Sequence, residues 1–121
     1  MEKTVLVIED DKILQSAILE AMNDAELNAI AAGDGKTGLE LAKSKMPAII
    51  LLDLVLPKMD GYKLLYELKH DDSMKHIPII CLTAIGSESS IAECKAHGAA
   101  DYLVKADYSL DQIVEKVKKH L

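Results

Sequence analysis

Six side chains in this sequence of 121 residues stand directly after short apolar runs: Glu9, Asp10, Asp11, Asp53, Thr83 and Lys105. Two carboxylates ~5 Å apart repel by roughly 3 kcal/mol at an effective dielectric near 20. Bringing Glu9, Asp10 and Asp53 together therefore demands a cation or a raised pKa. A partly built, all-oxygen ligand set suits Mg²⁺, which keeps several waters and shares its shell with a phosphate. A hydroxyl and an ammonium beside it supply donors for phosphoryl oxygens. The combination suits a carboxylate nucleophile that forms an acyl phosphate with metal and cationic help. Asp11 differs from its neighbours. It directly precedes a helical pattern, where an acid is expected as the N-cap.

These residues meet only if the runs are strands of one sheet. Thr4–Ile8 (TVLVI), Ala48–Leu52 (AIILL) and Ile77–Leu82 (IPIICL) are continuous and apolar, as in strands buried on both faces. Leu27–Ala31 and Ala100–Val104 are predicted as two further strands. Between the runs lie amphipathic stretches with helical spacing. They are Lys12–Asn23 (with Ile13, Leu14, Ala17, Ile18 and Ala21), Lys36–Lys45, Tyr62–His70, Ser87–His97 and Leu110–Leu121. Gly98 is expected as a left-handed cap of the fourth. Strict alternation of strand and helix predicts an α/β fold, a doubly wound parallel sheet covered on both faces. Sites in such sheets form beyond the carboxyl ends of the strands, where the six residues stand. Five strand–helix units consume the chain, so the expectation is a single domain, 1–121, without an output domain.

Composition excludes other classes. Fourteen Lys face twenty acids, Arg, Phe and Trp are missing, and the net charge is −6. A nucleic-acid binder needs a basic face, Arg forks or stacking aromatics, so no nucleic-acid partner is expected. No apolar run approaches the ~20 residues of a membrane span. The start lacks the basic region of a signal peptide, and the expected address is cytoplasmic, with no membrane partner. Cys81 and Cys94 form no disulfide framework and are expected to stay reduced. His70, His76, His97 and His120 show no metal-ligand spacing and are expected at the surface or at helix ends. Lys116, Lys118 and Lys119 suit a helix C-terminus.

At VLVIEDD (Val5–Asp11), LLDLVLPKMDG (Leu51–Gly61), CLTA (Cys81–Ala84) and ADYLVK (Ala100–Lys105) the chain resembles the receiver domain of bacterial two-component response regulators. The resemblance implies a five-stranded parallel sheet of order 2-1-3-4-5. It implies Asp53 as phosphoacceptor, Asp10 as a direct Mg²⁺ ligand, Glu9 acting mainly through water, and the Val55 carbonyl completing the protein ligands. Thr83 and Lys105 would each bind a phosphoryl oxygen, and Tyr102 matches the aromatic whose ring turns inward with Thr83. The donor would be a sensor histidine kinase or a histidine phosphotransfer protein. Ile13 and Leu14 would help dock it, and the fourth helix, fifth strand and fifth helix would face a downstream protein. The chain would be a regulatory phosphoacceptor, not a conventional enzyme, and a monomer or weak homodimer. One departure is Ala106, where the family has proline after a cis bond. A non-proline cis bond costs ~3 kcal/mol, so Lys105–Ala106 is expected trans, with loop 106–109 placed differently.

Two further motifs point elsewhere. Gly35-Lys36-Thr37 resembles the end of a phosphate-binding P-loop, but the glycine required five residues earlier is Ile30. Lys36 is expected on a solvent-facing helix surface. Asp53-Leu54-Val55 resembles an aspartate-nucleophile phosphatase, yet Val55 replaces the second Asp that would carry the proton. With Val55 and Ile85 both apolar, a long-lived acyl phosphate is expected. The competing class is a constitutive interaction adaptor with the same shape, favoured by Ala106.

Overall fold

A computed structural model describes residues 3–121. Five short apolar runs become the strands β1 (Thr4–Ile8), β2 (Asn28–Ala32), β3 (Ile49–Leu52), β4 (Ile79–Thr83) and β5 (Asp101–Val104). They form one parallel sheet of order β2-β1-β3-β4-β5, as expected from the alternation and the family resemblance. The helices are α1 (Lys12–Asp24), α2 (Gly35–Lys45), α3 (Gly61–Lys69), α4 (Glu88–Ala96) and α5 (Leu110–His120).

Side-chain alternation along each strand builds two cores. Leu6, Ile8, Ile50, Leu52, Ile79 and Cys81 pack with Ala42, Leu65 and Cys94 under α2, α3 and α4. Val5, Val7, Ile49, Leu51, Ile80 and Leu82 pack with Ile18, Met22 and Val117 under α1 and α5. The three central strands are therefore buried on both faces, which is why their sequences are unbroken apolar runs.

Each helix starts on a side-chain cap. Asp11 accepts from the amides of Ile13 and Leu14, Asp34 from Thr37, Asp60 from Tyr62 and Ser87 from Ser90. Ser109 and Gln112 form a reciprocal capping box at α5. Gly98 follows α4 with φ +93°, the left-handed conformation expected there.

Several element boundaries shift by one or two residues from those expected. The fourth strand begins at Ile79, because Pro78 has no N–H to give the ladder and contributes only its carbonyl, to Ile50. The second strand starts one residue late, since the Leu27 amide is spent on Met22 at the end of α1. Ile13, counted with the apolar stripe of α1, is 85% exposed, while Leu14 packs on the core. Cys81 and Cys94 are both free and buried. No helix among the described residues is long and apolar enough to cross a membrane.

Candidate functional site

Parallel pairing delivers the acids to one rim. Ile8 on β1 pairs with Leu52 on β3, so Glu9 and Asp53 are the next residues out on adjacent strands. The Asp53 amide donates to the Ile8 carbonyl at 3.0 Å, and the Glu9 amide donates to the Ala32 carbonyl at 3.0 Å. Between β1 and β3 the strand order reverses, which is where open α/β sheets place their ligands. One ligand oxygen from each of Glu9, Asp10 and Asp53 lies within 4.8 Å of the others. That oxygen-only set, with Asp10 exposed and the others buried, fits a hard divalent cation that retains water.

Lys105 reaches this rim from the end of β5. Val104 pairs with Thr83, which sets Lys105 one residue beyond the last rung between β4 and β5. Its Nζ lies 2.8 Å from Asp53 Oδ2 and 2.6 Å from Glu9 Oε1. The second contact is ionic in character, because Glu9 Oε1 gains no properly directed hydrogen bond. Glu9 is 2% exposed and Asp53 4% exposed. Burial pushes the Glu9 carboxyl up to about 7, against the pull of Lys105 and the Asp11 amide, and the Asp53 charge adds to the rise. Burial works against the Lys105 ammonium, yet Asp53 and Glu9 outweigh it and hold its pKa above the ordinary lysine value. The rim thus uses both devices required by its charge, a cation and a raised pKa.

Asp53 is oriented locally as well. Its Oδ1 accepts from the Val55 amide at 3.0 Å, which fixes the start of the loop leading to α3. Thr83 is fully buried, and its Oγ1 accepts from the Ile85 amide at 3.4 Å, leaving its own proton free to donate. Tyr102 is 9% exposed with its ring in the core, and its hydroxyl donates to the Ile85 carbonyl. Ile85 is therefore bonded through its amide to Thr83 and through its carbonyl to Tyr102.

The remaining expectations separate cleanly. No peptide bond among the described residues is cis, so Lys105–Ala106 is trans. A 3-10 turn at Lys105–Asp107 follows β5, and Lys105 still aims at Asp53. Lys36 is exposed, and the Asp34 carboxylate occupies the N-terminus of α2 that a P-loop would offer to phosphate. Val55, 56% exposed, borders Asp53. Gln15 escaped the sequence reading: its Nε2 donates to the Glu9 carbonyl at 2.9 Å and the Ala32 carbonyl at 3.3 Å, tying the ends of β1 and β2. Nothing in an amphipathic pattern marks such a residue.

A parallel sheet of this order with an acidic rim at its reversal defines a class, and the profile described as "Response regulator receiver domain" matches residues 5–118. The chain belongs to that family. Transcriptional regulatory protein HprR of Escherichia coli (strain K12) is 36% identical over 117 residues, covering 97% of this chain and 51% of its own length. The chain thus spans about half of that relative. The polar-differentiation response regulator DivK of Brucella anthropi is 28% identical over 121 residues, with 100% of this chain and 98% of DivK covered. The solved structure of the chemotaxis protein CheY4 of Vibrio cholerae superposes with a TM-score of 0.92 over 100% of both chains, at 25% identity. Receiver domains are regulatory phosphoacceptors of two-component systems; they bind Mg²⁺ at an acidic pocket and interact with histidine kinases or phosphotransfer proteins.

Proposed function

We propose that this chain is a phosphorylation-controlled switch whose phosphoacceptor is Asp53. The donor is a phosphohistidine on a sensor histidine kinase or phosphotransfer protein. A carboxylate oxygen of Asp53 forms the new O–P bond as the N–P bond breaks, and the imidazole keeps the electron pair and takes up a proton. Lys105 then shifts from the carboxylate to a phosphoryl oxygen, and Thr83 donates its free proton to another. Asp10, Asp53 and the Val55 carbonyl, with Glu9 acting through water, would hold Mg²⁺, which supplies charge neutralisation to the phosphoryl oxygens. The exposed Ile13, in the first turn of α1, offers an apolar contact for the donor beside the acids.

Once Thr83 is drawn toward the phosphoryl group it releases the Ile85 amide, and Ile85 also carries the bond to Tyr102. The modification thereby biases the face made by α4, β5 and α5, which would meet a downstream protein. The observation that carries the reading is the Lys105 ammonium 2.8 Å from Asp53 on a three-acid rim. The adaptor alternative drew on Ala106, and Lys105 keeps its aim despite that residue.

The test is incubation with acetyl phosphate and Mg²⁺ followed by intact mass. Wild type should gain one phosphoryl group and Asp53→Asn none. No gain in wild type, or an equal gain in the variant, refutes the proposal. Turnover of a phosphate ester would instead indicate a phosphatase.

A further inference from the structure

Away from the acidic rim, two tyrosine hydroxyls bond to the start of α4 and to the loop just before it. Tyr62 on α3 donates to Ser90 Oγ on α4 at 2.6 Å. Tyr102 on β5 donates to the Ile85 carbonyl in the loop before α4. A phenol has one proton, so Tyr102 can only accept further bonds and Tyr62 has none left to give. Ser90 keeps its own proton. Burial lifts the Tyr102 phenol up to about 12, with Tyr62 adding to the rise and the Ser90 hydroxyl opposing it. Tyr62 thus bonds the first turn of α4, and Tyr102 bonds the loop that leads into it.

The Tyr62 side of this arrangement adjoins the phosphoacceptor loop. Tyr62 follows Gly61, whose amide donates to the Leu54 carbonyl at 3.1 Å, and Leu54 follows Asp53. Tyr62 is fixed there by its own amide, which donates to Asp60 Oδ1 at 2.9 Å. Ser90 is held in the first turn of α4 by its amide bond to Ser87 Oγ at 3.2 Å. A path through Tyr62, Ser90 and the start of α4 thus joins the loop after Asp53 to the segment whose Ile85 carbonyl Tyr102 uses, without passing through Thr83.

We propose that Tyr62 is a positioning residue for the switch: through Ser90 its hydroxyl holds the start of α4 against α3 and favours the buried setting of Tyr102. This deepens, and for its effect on signalling rests on, the phosphorylation reading of Asp53. A ring of Tyr102 turned outward leaves the Ile85 carbonyl, which stands just before the turn of α4 that Tyr62 holds, so the latch stabilises the inward setting. By linkage, whatever favours that setting also favours ligands that require it.

The test uses the full chain with Tyr62→Phe and Ser90→Ala, which keep ring and backbone intact, and Ser90→Thr, which keeps the hydroxyl. Ring resonances of Tyr102, assigned with Tyr102→Phe, report its setting in the free protein. Tyr62→Phe should move them toward solvent-exposed values. It should also weaken beryllofluoride binding with Mg²⁺ by about three- to tenfold, the span of one net hydrogen bond. Ser90→Ala should do the same, the double variant should be no worse than either single one, and Ser90→Thr should resemble wild type. Unchanged Tyr102 resonances in Tyr62→Phe, or strictly additive effects, would overturn the proposal. A wild type that ignores beryllofluoride would instead sink the phosphorylation reading, while the ring resonances would still decide the latch.

Discussion

Lys105 Nζ lies between Asp53 Oδ2 and Glu9 Oε1, at 2.8 Å and 2.6 Å, so one ammonium bridges two buried carboxyl groups. Removing one partner of a buried pair is costly because the other charge stays behind. Lys105→Ala should destabilise the fold by about 2 kcal/mol, below the fully buried range because its side chain is a quarter exposed. Mg²⁺ should recover part of that loss by replacing the missing positive charge. Thermal unfolding with and without Mg²⁺ gives the answer, and an equal metal-induced shift in wild type and variant would contradict it.

Gly61 admits no side chain. A Cβ there would lie 2.6 Å from the Leu54 carbonyl oxygen, a backbone atom with no freedom to retreat. Gly61→Ala should cost about 2–3 kcal/mol through strain in the loop. It should also slow phosphoryl uptake from acetyl phosphate, because Leu54 neighbours Asp53. A variant with wild-type stability and uptake would show that the loop relaxes without consequence.

Val55 borders Asp53 and is 56% exposed, and Ile85 follows Thr83 by two residues. Neither offers a group that could orient an attacking water. Val55→Asn with Ile85→Glu should change the decay rate of the acyl phosphate, with acceleration expected as polar groups enter. Decay followed by intact mass after removal of the donor measures this, and an unchanged rate would count against the idea.

Asp101 ties the end of α5 to β5. His120 Nε2 is 3.1 Å and Lys116 Nζ 3.9 Å from its Oδ2, and Oδ1 accepts the Tyr102 amide. Burial alone would raise this carboxyl, but His120, the Tyr102 amide and Lys116 hold it below its ordinary value. A depressed folded pKa stabilises the protein above the unfolded pKa of about 3.9, and that contribution fades as pH falls through the folded value. The stability gap between wild type and Asp101→Asn should therefore be flat at neutral pH and close below about pH 4. Denaturant titrations across that range would expose a gap that instead widened in acid.

The architecture was legible because the central strands are buried on both faces, which forces unbroken apolar runs such as AIILL and makes their polar endpoints conspicuous. The acids, Thr83 and Lys105 stood out for that reason, and Asp11 as a cap followed from its place before α1. Contacts between distant elements left no such trace. The pairing of Lys105 with Glu9, the bond from Tyr62 to Ser90 and the link from His120 to Asp101 each join residues brought near only by the completed sheet. Ile13 shows that a residue in the first turn of a helix can share the apolar spacing yet project past the edge of the core.

The rung between Ile8 and Leu52 has one more consequence. Neighbouring strands keep a gauge of about 4.8 Å set by peptide hydrogen bonds, whatever side chains they carry. The crowding of Glu9 against Asp53 is thus inherited from the rails and not from the carboxylates themselves. Mutation can retune the strength of the anionic pair through rotamers or through the lysine that spans it, but only dismantling the middle of the sheet could move the two acids apart.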